Sequence, residues 1–111
     1  MQQGKSVYAR AMGRNRNETV KVGTIIGGAT VKEAFAITIE REGDRYAARA
    51  LGFCVGYGET PEEARANLIL AIEYDIELAR QKLAQEITSL RSKFITVMQT
   101  YQKHFELTQN N

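Results

Sequence analysis

Apolar positions along this chain change their period near residue 60. Phe35, Ile37 and Ile39 alternate with Ala36, Thr38 and Glu40, the two-residue repeat of a half-buried strand. Glu42-Gly43-Asp44 follows as a turn, and Arg45 to Leu51 returns as a second strand with Tyr46, Ala48 and Ala50 on one face. Phe53 to Tyr57, set between Gly52 and Gly58, reads as a short third strand. Further upstream, Thr19 to Ile26 is rich in β-formers and is broken by Gly27-Gly28. Beyond Pro61 the period becomes three or four: Leu68, Ile72, Ile76, Ala79, Leu83, Ile87, Leu90, Phe94, Val97, Tyr101 and Phe105 form one helical stripe.

The boundary between these halves is marked by local chemistry. All nine glycines lie at or before Gly58, and Pro61 is the one proline. Thr60-Pro61-Glu62-Glu63 is a capping box: Thr60 accepts from the Glu63 N–H, Glu63 reaches back to the Thr60 N–H, and proline occupies the first helical position. The expected fold is therefore α+β, a small antiparallel sheet made of a hairpin and a short third strand, followed by a long amphipathic helix. An unbroken helix to Phe105 would be about 70 Å long, roughly twice the width of a small domain. Either it breaks, near Thr88-Ser89 or Ser92, or its distal part packs on another chain. The stripe of Leu83, Ile87, Leu90, Phe94, Tyr101 and Phe105 predicts homo-oligomerisation. This divides the chain into a flexible basic arm (1–18), an α+β domain (19–80) and a helical extension (81–111).

Charge changes the picture at the N-terminus. Residues 1–34 hold six basic and two acidic side chains, while the remainder holds nine basic and eleven acidic. Arg10, Arg14 and Arg16 are the candidate phosphate contacts of such an arm, against a plainer reading as a solvated tail. The chain's one cysteine, Cys54, excludes an internal disulfide and suits a reducing cytoplasm. No signal-like segment or apolar run of the roughly 18 residues needed for a membrane span is present. A soluble, cytoplasmic protein is expected.

Catalytic chemistry is sparse. His104 is the one histidine; it has Tyr101 and Phe105 as neighbours and no close sequence partner of catalytic type, so it reads as a surface or interface residue. Cys54 has no CxxC partner and reads as a small buried strand residue. Gly52, Gly56 and Gly58 lack the GxGxxG spacing and a following lysine; tight turns and close packing explain them. Neither cofactor nor metal is expected. The acids Glu40, Asp44 and Glu59, beside the sheet, are the candidate partner-binding residues. Converging strand acids holding Mg²⁺ for phosphodiester hydrolysis is a remote alternative.

The segment from Phe35 to about Ala71 resembles the HicB family of toxin–antitoxin antitoxins and their standalone relatives. Phe35 to Glu40 is similar to the family's first strand, and Gly43-Asp44-Arg45-Tyr46 to its turn and tyrosine-led second strand. Cys54 to Thr60 resembles the C-x-x-x-G-D-T loop with Glu59 in place of Asp, and Pro61-Glu62-Glu63-Ala64 the helix opening. The family's Pro-Gly before the cysteine is Gly52-Phe53 here, and an appended DNA-reading module has no visible counterpart. The resemblance implies a degraded RNase-H-like domain, usually oligomeric, that masks a small basic ribonuclease of the HicA type. The leading expectation is a non-enzymatic protein-binding module, with a nucleic-acid-associated regulator using the basic arm as the alternative.

Overall fold

The structure, a computed structural model, describes residues 15–83 and 92–107. It is α+β. Strands β1 (Asn15–Val20), β4 (Phe35–Glu42), β5 (Arg45–Ala50) and β6 (Cys54–Gly58) form one antiparallel sheet in the order β1-β4-β5-β6. Strands β2 (Ile25–Ile26) and β3 (Ala29–Thr30) form a small separate hairpin. Helix α1 spans Pro61–Leu83 and helix α2 spans Ser92–His104.

The predicted hairpin and third strand are present, with Ile39 opposite Ala48 and Ala50 opposite Cys54. Phe35, Ile37, Ile39, Ala48, Ala50 and Cys54 point to one face and are buried there by Ala64, Leu68, Ile72 and Ile76 of α1. No described helix covers the other face of the sheet. That face carries Thr38, Glu40, Arg45, Arg49 and Tyr57, all exposed or half-buried.

The β-former-rich stretch Thr19–Ile26 is divided between two elements, β1 and β2. β1 starts at Asn15, and the chain then turns at Lys21–Gly23, where Gly23 has φ 97° and its N–H donates to the Val31 carbonyl at 2.8 Å. Only a residue without Cβ takes that backbone conformation cheaply. Strand β1 escaped notice because its inward positions, Arg16 and Glu18, are charged. They are held from α1, Arg16 by Glu62 at 3.4 Å and Glu18 by Arg65 through two bonds of 2.7 Å. Residues 15–18 therefore belong to the sheet rather than to a basic arm.

The C-terminal stripe is shared between two helices, α1 ending at Leu83 and α2 beginning at Ser92; Thr88-Ser89, where a break was expected, lies outside the described residues. Tyr101 and Phe105 are fully buried in this chain's own core. Phe105 bridges to Val31, the Lys32 N–H donates to the His104 carbonyl at 2.8 Å, and the Glu106 N–H donates to the Thr30 carbonyl at 2.8 Å. Rings of Phe35, Tyr101, Phe105 and His104 stack around this seam with centroids 5.6–5.9 Å apart. Tyr101 and Phe105 are thereby taken up inside this chain rather than at an interchain seam, and residues 92–107 pack onto the α+β domain. Leu83 ends α1 and Phe94 lies in the first turn of α2. Ile87 and Leu90 lie outside the described residues.

Candidate functional site

Asp44 and Glu59 meet at one end of the sheet. The β4–β5 turn supplies Asp44, β5 supplies Arg45, β6 supplies Tyr57 and Gly58, and the entry to α1 supplies Glu59 and Glu63. Together they line an open cleft of 490 Å³. Gly43, at φ 67°, permits the tight turn that presents Asp44. Gly58 permits the approach of α1, since a Cβ there would lie 2.6 Å from the Ala64 nitrogen and 2.7 Å from the Glu63 Cβ.

The capping box forms, with one change. The Glu63 N–H donates to Thr60 Oγ1 at 3.0 Å, but the Glu63 carboxylate accepts from the Glu59 N–H at 2.6 Å, one residue upstream of the expected partner. This fixes the Glu59 backbone and leaves its carboxylate exposed. Neither Asp44 nor Glu59 forms an ion pair among the described residues. By contrast, Glu18, Glu33, Glu42, Glu62 and Glu77 each pair with an arginine or lysine. Arg45, the one cation lining the cleft, lies flat against Tyr57, its guanidinium carbon 3.7 Å from the ring centroid. The cleft thus offers two unpaired carboxylates beside an aromatic ring already able to hold a guanidinium.

Glu40, the third predicted acid, is exposed on the uncovered sheet face, opposite Asn15 and Ala47, and does not line the cleft. Of the predicted phosphate contacts, Arg16 lies in β1 and is paired with Glu62. Arg10 and Arg14 lie outside the described residues. Arg45, Tyr57 and Glu63 were not foreseen as cleft residues. The signal available for Tyr57 was its place in an alternating strand, which set it on the face opposite Cys54.

A buried polar cluster lies on the far side of the sheet. Tyr101 Oη donates to Asp75 Oδ2 at 2.7 Å, and Cys54 Sγ lies 3.0 Å from the same Tyr101 oxygen. Burial pushes the Cys54 thiol up to about 11, and burial pushes the Tyr101 hydroxyl up as well. A thiol so placed stays protonated at neutral pH and is a weak nucleophile. The cluster ties β6, α1 and α2 together. His104 is half-buried, and its Nδ1 lies 2.9 Å from the Glu33 carbonyl oxygen. Among the described residues, no group of three or more His, Cys, Asp or Glu side chains is placed to hold a metal ion. No described helix is long and apolar enough to cross a membrane.

Compared with protein-family models, curated proteins and solved structures, the chain matches none.

Proposed function

We propose that this chain is a non-enzymatic protein-binding module of the cytoplasm that takes a basic partner in the cleft at Asp44 and Glu59. The observation that carries this reading is the pair of unpaired carboxylates there, next to the Arg45–Tyr57 stack. A lysine or arginine from the partner gains charge-assisted bonds to both acids. The carboxylates are solvated before binding, so their contribution is mainly to encounter rate and selectivity against acidic proteins. Glu40, on the adjoining open face, extends the negative field.

The resemblance of Phe35–Ala71 to HicB antitoxins supports the same direction, because such antitoxins mask a small basic ribonuclease of the HicA type. The reading needs no catalytic group: the mechanism is steric cover plus electrostatic selection.

Fluorescence anisotropy with an arginine-rich decapeptide tests it. Binding should weaken as salt rises, and the double variant Asp44→Asn/Glu59→Gln should bind about tenfold more weakly, with a smaller loss in Glu40→Gln. Equal affinity of the wild type and the double variant would refute the cleft as the binding site.

A further inference from the structure

Strand β1 is an outer strand of the sheet, and no described residue pairs with its free edge. The opposite outer strand, β6, is guarded: the Asn67 side-chain amide donates to the Tyr57 carbonyl at 2.6 Å, and α1 crosses close over Gly56 and Gly58. Among the described residues β1 has no such cover, and it holds no proline and no bulge. An uncovered edge of six residues is a template for another strand. What selects the incoming strand is the pair of charges on the inward side of β1, Arg16 and Glu18. These repel an apolar strand and accept one carrying the reverse order of charges.

We propose that β1 pairs with β1 of a second copy of this chain, antiparallel about a twofold axis at Asn17, to give a continuous eight-stranded sheet. In that register Arg16 of each chain faces Glu18 of the other, and the exposed Asn17 amides face each other on the open side. A shift by two residues sets Arg16 against Arg16 or Glu18 against Glu18. A shift by one turns the charged side chains to the wrong face. The sequence of β1 is therefore self-complementary in one register. A groove of 350 Å³ beside this edge, lined in part by Val20, Ile25 and Ile69, adds apolar surface for the second copy to cover; Ile25 is 67% exposed in the single chain. None of the residues lining the acidic cleft belongs to β1, which β4 separates from β5 and β6, so pairing through the β1 edge leaves both clefts open. The dimer is then bivalent toward a basic partner.

Sedimentation equilibrium of the full chain should show a dimer. Arg16→Glu and Glu18→Arg should each weaken it by about tenfold or more, because each change counts twice across the axis. An equimolar mixture of the two variants should recover the dimer, since every cross-strand pair is again of opposite charge. Mild oxidation supplies a test that leaves the ion pairs intact. Asn17→Cys should form a covalent dimer, because facing residues of an antiparallel pair lie within disulfide reach, whereas Thr19→Cys, which faces Asn15, should not. Cys54 is buried and does not compete. A monomeric wild type, a dimer unaffected by both charge reversals, or equal crosslinking of the two cysteine variants would overturn the proposal.

Discussion

The two outer strands of this sheet are held by different forces. β6 is fixed by backbone proximity and burial. Two of its five residues are glycines against which α1 lies, its Cys54 is tied to Tyr101 and Asp75, and its Tyr57 carbonyl is capped by Asn67. β1 is fixed by register with β4 and by two solvent-facing ion pairs, with only Val20 fully in the core. Close packing responds steeply to a single added atom, whereas exposed ion pairs respond weakly and are screened by salt. The β6 side of the sheet therefore tolerates little change, and the β1 side tolerates more.

The contrast can be broken most severely at Gly56. A Cβ there would collide with the Leu68 nitrogen and lie 2.6 Å from the Ala64 carbonyl oxygen, both backbone atoms that have no rotamer to yield. Gly56→Ala should cost about 3 kcal/mol or more, read as a fall in the urea midpoint at unchanged slope. A shift below about 1 kcal/mol would mean that the helix does not seat on β6.

Tyr101→Phe is the intermediate case. It keeps the ring in the core but removes the donor to Asp75 and the oxygen beside Cys54. A loss of about 1–3 kcal/mol is expected in denaturant titration, since a partly buried carboxylate loses its donor. An unchanged midpoint would show that the C-terminal helix is not anchored through this hydroxyl.

The smallest effect belongs to β1. Glu18→Gln should cost at most about 1 kcal/mol at neutral pH, because the Arg65 pair is more than a third exposed. Its pH dependence has a definite sign. The hydrogen bonds from Arg65 hold the Glu18 carboxyl below its ordinary value of 4.5, so the pair's contribution is full above that value and is lost as pH falls through the lower folded-state one. The difference in stability between the wild type and Glu18→Gln should therefore shrink on acidification below about pH 4. A difference that stays constant into acid would detach Glu18 from the stabilisation of β1.

Where period and capping agreed, the sequence was sufficient. The alternation of Phe35, Ile37 and Ile39 with the Glu42–Asp44 turn determined the central hairpin, and Thr60-Pro61-Glu62-Glu63 determined where α1 begins, because both signals are local in the chain. Leu68, Ile72, Ile76 and Ala79 were legible as the buried face of α1 for the same reason. Half of the cleft was legible too: Asp44 and Glu59 stood out as acids beside the sheet, but Arg45 and Tyr57 joined them only through strand pairing across the hairpin. The tertiary structure alone decided the rest. Arg16 and Glu18 make a polar strand only because Glu62 and Arg65 stand across from them, more than forty residues away in sequence. Tyr101 and Phe105 have the helical spacing of an intermolecular seam, and spacing cannot distinguish which core an apolar side chain fills. The return of α2 onto Val31 and Phe35 turned Tyr101 and Phe105 of that stripe inward, a contact across about seventy residues that no local pattern carries.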